Sequence, residues 1–312
     1  MNLRKLPLLA ALLGAPLLAQ AAEPAACDTV RFADVGWTDI TATTALARQV
    51  FTELGYRTQV KRLSVPDTYK ALAHRQIDVF LGNWMPSMES DIRPYLQDGS
   101  VQSLGANLEG AKYTLAVPLE AYEGGLKSFA DIARFKEQLG GKLYGIEPGN
   151  DGNQLIQKMI DDNAFGLGGF RLVESSESRM LAQVRRSAHL KQWLVFLGWE
   201  PHPMNTQVEM RYLSGGDQYF GPNYGGATVY TNIRAGYAEQ CPNVARLLNN
   251  LRFSLDMENH LMEAILDPNT NRRRVARSWL QSNPATVEQW LQGVTRRDGS
   301  PVQSLLATST NP

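Results

Sequence analysis

The sequence predicts an α/β fold of two lobes that share one cleft, and three observations predict it. Short apolar runs alternate with amphipathic stretches through residues 29–82, and the same alternation begins again at residue 111. Two of these runs end almost identically, VFLGNWMPSM at 79–88 and VFLGWEPHPM at 195–204, each presenting a tryptophan just past a glycine. The chain of 312 residues leaves about 290 once an N-terminal leader is removed, enough for two lobes or domains.

The elements follow in order. TVRFADVGW (29–37) reads as a strand running into a loop, TATTALARQVFTELG (41–55) as a helix closed by Gly55, and TQVKRLSV (58–65) as a second strand. PDTYKALAHRQ then starts a helix with Pro66, and IDVFLG is the third strand, so the first lobe has a mostly parallel sheet. AKYTLAVP (111–118) opens the second series. A helix near SFADIARFKEQLG, the strand KLYGIEP (142–148), the turn GNDGN, a helix NQLIQKMIDDN, the strand FRLVES, a helix SRMLAQVRRSAHLKQ and the strand WLVFLGW follow. Beyond residue 224 come VYTNIRAGYAEQCPN and the helices LLNNLRFSLDMENHLMEAILD and ATVEQWLQGV. The expected division is a first lobe of 22–110 plus 225–295, a second lobe of 111–224, and an unordered polar tail at 296–312.

The first 21 residues carry Arg4 and Lys5, an apolar stretch from Leu6 to Leu18, and small residues at Ala19-Gln20-Ala21. That order is a secretory signal cut after Ala21, which places the mature protein in the periplasm. The stretch is too short and too broken by Gly14 and Pro16 for a membrane span, which needs about 20 apolar residues. Cys27 is not the acceptor of a lipid anchor, because Pro24 stands where a bulky aliphatic belongs.

Basic and acidic residues balance at 31 each, and the longest basic run is Arg272 to Arg274, which argues against nucleic acid as a partner. Cys27 and Cys241 form an isolated pair, in an oxidising compartment most simply a disulfide, contributing on the order of 4 to 5 kcal/mol by loop entropy. Two buried free thiols are the other reading; a metal site lacks ligand spacing among two cysteines and four scattered histidines.

In open α/β sheets a ligand lies beyond the carboxyl ends of the strands. Of six tryptophans, Trp37, Trp84 and Trp199 lie there, in Gly/Pro-flanked loops, whereas Trp193, Trp279 and Trp290 fall within strand or helix patterns. Most aromatic residues simply fill cores. Indoles grouped at a cleft, however, suit a quaternary ammonium ion, whose charge is spread over methyl groups and gains about 0.5 to 2 kcal/mol per aromatic face.

The stretches GWTDITATTALA, IDVFLGNWMPSM, GAKYTLAVP, YGIEPGNDGN, VFLGWEPHPMN and YLSGGDQYFGPNYG closely resemble the choline and glycine betaine binding proteins of bacterial ABC importers. The resemblance runs from about residue 27 to about residue 268 and is closest to the choline-binding branch. It implies the two-lobed periplasmic binding protein fold (type II-like), with ligand in the cleft between lobes. It implies an aromatic box of Trp37, Trp84, Tyr113 and Trp199 around the trimethylammonium group, with Asp39 and Asn150 at the hydroxyl end, and it matches Cys27 and Cys241 to the family's disulfide. Asn83 and Met85 beside Trp84 depart from the pattern and bear on the order of ligands.

The residues themselves leave other roles open: Asp39 as a helix N-cap or as an ionised carboxylate at a wet pocket mouth, Asn150 as a turn residue. Choline, with its hydroxyl, ranks first; carnitine and glycine betaine follow, their carboxylates repelled by Asp39 but served by backbone N–H groups of the Gly149–Gly152 turn. The expected protein is a monomer without cofactor or metal that delivers its ligand to a membrane permease. A ligand-sensing module is the alternative. An exported enzyme is a further one, but His202 near Trp199 has no nucleophile motif beside it. LSGGDQ at 213–218 is similar to a transporter-ATPase motif without any GxxxxGK[ST] loop to accompany it.

Overall fold

The protein is described here by a computed structural model covering residues 23–267, 269–302 and 305. The leader read at 1–21 and its cleavage after Ala21 lie outside the described residues.

Nine strands form one mixed sheet: β1 (Thr29–Asp34), β2 (Arg57–Arg62), β3 (Val79–Met85), β4 (Val101–Pro118), β5 (Lys142–Tyr144), β6 (Arg171–Val173), β7 (Val195–Glu200), β8 (Met210–Tyr212) and β9 (Gly226–Arg234). Their order is β2-β1-β3-β9-β4-β7-β5-β6, with β8 against β4. β1 is parallel to β2 and β3, and β5 to β6 and β7. Between these groups stand β9 and β4, antiparallel to each other and to β3 and β7 respectively. The expectation of mostly parallel pairing therefore holds at the two flanks and fails in the middle. A chain that leaves one lobe and later returns lays its outgoing and incoming strands side by side, and these run in opposite directions.

β3 and β7 are buried along nearly their whole length, which is why both read as unbroken apolar runs. Each leaves the sheet through a cis X–Pro bond, Met85–Pro86 and Glu200–Pro201, so the sequence echo is also a backbone echo. β2, at one edge, exposes most of its residues and carries Arg57, Lys61 and Arg62, charges that discourage further strand pairing.

The first helix spans Thr38–Glu53 and starts three residues before the expected 41. Its first-turn amide, Thr38 N, donates to Glu177 Oε2 at 2.9 Å, and the Thr38 hydroxyl bonds the same carboxylate. A cap supplied from 139 residues away has no local sequence signal. The stretch 128–140 is a 3₁₀ segment over Phe129–Phe135 opened by a Ser128/Asp131 capping box, not an α-helix. The continuous helix read over 247–267 is two, Pro242–Asn250 and Leu255–Leu266: Phe253 N donates to Asn107 O at 2.6 Å, and Ser254 caps the second.

The helices Leu255–Leu266 and Arg272–Ser282 pack on Thr38–Glu53, returning the end of the chain to the first lobe. Cys27 and Cys241 are joined as a disulfide there. Beside it, Tyr56 Oη donates to Glu23 at 2.9 Å and accepts from Asn243 Nδ2 at 2.8 Å. Of the segment 296–312, Arg297 bonds Asp28 through Nε at 2.6 Å, and Pro301 bridges back to Thr295; residues 303, 304 and 306–312 lie outside the described part.

Candidate functional site

Both flanks of the sheet aim their strand ends at one small pocket of about 260 Å³, lined by Trp37, Asp39, Trp84, Tyr113, Ile146, Asp151 and Trp199. Each wall has a local origin. Trp37 occupies the N-cap position of the first helix, whereas Trp84, next to last in β3, and Trp199, next to last in β7, lie within their strands and not in the loops expected for them. Tyr113 on β4 lies directly opposite Trp199 on β7, a cross-strand pair with ring centroids 6.4 Å apart; Trp84 and Tyr113 are 6.0 Å apart. All four rings are buried.

The polar edges of two of the indoles are tied down by carboxylates. Trp37 Nε1 donates to Glu147, and Trp84 Nε1 donates to Asp39 Oδ2 at 3.2 Å. Tyr113 Oη donates to Asn150 Oδ1 at 2.9 Å. With these three donors occupied, the orientations of Trp37, Trp84 and Tyr113 are held and their electron-rich faces remain for a ligand.

Five of the six sequence-identified residues thus line one cavity. Asn150 stands behind the wall as the N-cap of the helix Asp151–Asp161: its Oδ1 accepts from Asn153 N at 3.1 Å as well as from Tyr113, and its Nδ2 donates to Asp151 Oδ1 at 3.0 Å. Asp39 corrects both of its local readings. It lies in the first turn of the helix, past the N-cap, and is 1% exposed rather than at a wet mouth. Burial, then the Glu177 charge, push its carboxyl up to about 8. Its Oδ1 has no hydrogen-bond partner among the described residues.

Asp151, Ile146, Glu147 and Glu177 were not singled out in the sequence. Asp151 and Glu147 lie inside the quoted YGIEPGNDGN, but a carboxylate beside a glycine turn carries no sign of which way it points. Asp151 is as buried as Asp39, and burial pushes its carboxyl up to about 7. His202 lies behind Trp199 with ring centroids 5.0 Å apart. Its Nδ1 accepts from Met204 N at 2.9 Å, so the ring proton sits on Nε2, 3.2 Å from Glu177 Oε1. Among the described residues no group of three or more His, Cys, Asp or Glu is placed to hold a metal, and no helix is long and apolar enough to cross a membrane.

Aromatic faces, two desolvated carboxylates and unclaimed acceptor oxygens are the features of a receptor for an organic cation with few hydrogen-bond donors. Comparison with known proteins agrees in kind. Residues 28–282 match the substrate-binding domain of ABC-type glycine betaine transport systems. The solved structure of an ABC-transporter choline-binding protein in complex with choline is 58% identical, with a TM-score of 0.88 over 89% of this chain and 96% of that one. An unliganded, semi-closed structure under the same description is 57% identical, with a TM-score of 0.83 over 90% and 98%. The glycine betaine/carnitine transport binding protein GbuC of Listeria monocytogenes is 25% identical over 167 residues, 54% of each chain. The chain belongs to the family of substrate-binding domains of ABC-type glycine betaine transport systems and has the two-lobed α/β fold of its binding proteins.

Proposed function

We propose that this protein is the periplasmic substrate-binding component of an ABC importer and captures a quaternary ammonium cation, choline first, with carnitine and glycine betaine behind it. The observation that carries the reading is the pocket of four aromatic faces, Trp37, Trp84, Tyr113 and Trp199, with Asp39 buried at its side. Each face contributes about 0.5 to 2 kcal/mol to a methylated cation, so four supply a large part of the roughly 8 kcal/mol of micromolar binding. Asp39 favours a cation over a zwitterion, and Asn150 serves the hydroxyl end by holding its neighbours in place. The lobes are 22–110 plus 225–295 and 111–224, closing over the ligand to create the surface a permease reads. The function is capture and delivery by a monomer, without catalysis, cofactor, metal or nucleic acid, in a protein exported by the leader cut after Ala21.

Calorimetric titration of choline, carnitine, glycine betaine and tetramethylammonium tests the reading. Choline should bind in the micromolar range, and Trp84→Ala or Trp199→Ala should weaken it at least tenfold. Trp279→Ala, whose ring stacks on Trp290 far along the chain, should not. Equal losses in all three variants would mean that the rings do not form the binding wall.

A further inference from the structure

We propose that this protein carries a second binding site, for a phosphate-bearing anion, in a groove beside the first helix lined by Arg48, Arg57, Arg272 and Arg273. The site is separate from the aromatic box, shares no lining residue with it and does not depend on the quaternary ammonium reading.

The groove, of about 1440 Å³, runs between the helix Thr38–Glu53, the edge strand β2 and the start of the helix Arg272–Ser282. Basic and acidic residues balance at 31 each over the whole chain, so four arginines against one lining carboxylate, Asp34, is a local excess. Asp34 is already engaged: its Oδ1 accepts from Gly36 N at 2.6 Å, and its Oδ2 from the Thr41 hydroxyl at 3.0 Å. None of the four arginines is in an ion pair among the described residues. Arg48 Nε donates to Thr58 Oγ1 at 3.1 Å and Arg273 Nε to Gln49 Oε1 at 3.3 Å, bonds to neutral groups that leave the terminal nitrogens of both guanidiniums without a partner among the described residues. Burial, then the charge of Arg273, lower the Arg48 guanidinium from its ordinary range, and Asp34 offsets this only in part. Two like charges are thus held close together without a counterion of their own.

Two further observations point to an anion. Arg272, Arg273 and Arg274 fill the first turn of their helix, where the macrodipole favours acidic residues and none is present. The amides of that turn are not the attraction, because Asn271 Oδ1 already accepts from Arg273 N and Arg274 N. Thr44 lines the groove at 2% exposure, and its hydroxyl has no hydrogen-bond partner among the described residues. A bound anion supplies what each of these lacks: a counter-charge for the guanidiniums, a complement to the helix dipole and an acceptor for the hydroxyl. Guanidiniums converging from three elements suit a tetrahedral phosphate, whose several oxygens take forked N–H donors from different directions, better than one planar carboxylate. Inorganic phosphate and the headgroup of an anionic phospholipid present the same group.

The test titrates inorganic phosphate into the protein by calorimetry at low ionic strength, with chloride at matched ionic strength as the control. In a second arm the protein is sedimented with vesicles of phosphatidylglycerol in phosphatidylethanolamine; phosphatidylcholine is avoided because its headgroup would address the aromatic box. Phosphate should bind and chloride should not. Arg272→Gln and Arg273→Gln, both at exposed positions, should each weaken phosphate binding at least fivefold, and Arg48→Gln at least tenfold, with choline affinity unchanged in all three. Arg93→Gln, which breaks an exposed pair with Glu89 elsewhere on the surface, should leave phosphate binding as it is. If Arg48→Gln does not fold, the two exposed variants decide. Phosphate binding without sedimentation identifies soluble phosphate as the ligand, whereas sedimentation that free phosphate competes away and Arg273→Gln abolishes identifies the headgroup. The site is overturned if neither phosphate nor vesicles bind, if phosphate affinity is equal in wild type and the Arg272 and Arg273 variants, or if vesicle binding is indifferent to free phosphate.

Discussion

Tyr113 joins the two chemistries of the site in one side chain: its face closes the box and its hydroxyl fixes Asn150. These contributions separate by substitution. Tyr113→Phe removes one hydrogen bond but leaves Asn150 Oδ1 paired with Asn153 N, so no buried acceptor is stranded. The loss should be about 1 kcal/mol, or about fivefold in choline affinity. Tyr113→Leu removes the π face as well and should cost tenfold or more beyond that. Calorimetry on both variants checks the order, and equal affinities would remove Tyr113 from the wall. The three indoles of the wall were legible because each comes just past a glycine at the end of an apolar run, but the loop placement was wrong for two: Trp84 and Trp199 lie inside β3 and β7, and Trp193, read as part of a strand, precedes β7. Tyr113 entered only through the family resemblance. Asp39 and Asp151 were not equally legible. Their chemistry depends on which lone pairs remain after Trp84 and Asn150 have donated, and the partners lie on other elements.

At the scale of elements, helix N-termini bring the two lobes into register. Thr38 at the start of one helix is capped by Glu177, the first residue of another, and Asn150 caps a third while holding Tyr113 on β4. This close approach requires Gly152, because a Cβ there would stand 2.1 Å from Tyr113 Oη and 3.0 Å from Leu197 Cδ1. In an isolated helix, alanine at such a position is better than glycine by about 1 kcal/mol. Here the contact wins, and Gly152→Ala should weaken choline binding at least tenfold by displacing the ring. Adding Tyr113→Phe removes the hydroxyl that is struck first and should recover part of the loss. Strictly additive effects in this double-mutant cycle would show that the ring does not move. The flanking strands were legible for the reason that β3 and β7 are: burial on both faces leaves unbroken apolar runs. The first half of β4, VQSLGANLEG, and the return strand β9 were not, since they pair through repeated register shifts that blur any alternation. The early start of the first helix was hidden because its cap, Glu177, comes from 139 residues further along the chain.

Across the whole molecule, closure of the cleft and the charge within it are linked. Trp37 and Thr38, which follow β1 on one flank of the sheet, bond Glu147 and Glu177, which follow β5 and β6 on the other, so the described conformation is shut around the pocket. Shutting it desolvates carboxylates from several elements: Asp39 is pushed from an ordinary 3.8 to about 8, and Asp151 from 3.8 to about 7. Glu258 is pushed well upward by burial and by Asp39, and Asp91 and Glu147 are raised by burial as well. Glu177, with His202 behind it, adds its charge to Asp39. An acid whose folded pKa is raised holds its proton longer in the closed state than in the unfolded chain. Its contribution to stability is therefore complete below about pH 4 and is lost as pH rises through 7 and 8. A bound cation reverses the balance, because it stabilises the ionised form and displaces the proton. Choline affinity should accordingly strengthen from pH 5.5 to 8.5, by up to about tenfold per pH unit for each displaced proton, and level off above the higher of the two values. Glycine betaine, which brings its own carboxylate, should gain far less over the same range. Calorimetry in two buffers of different ionisation enthalpy reads the proton release directly, and a choline Kd independent of pH with no proton released would show that Asp39 and Asp151 are already ionised in the closed, ligand-free protein.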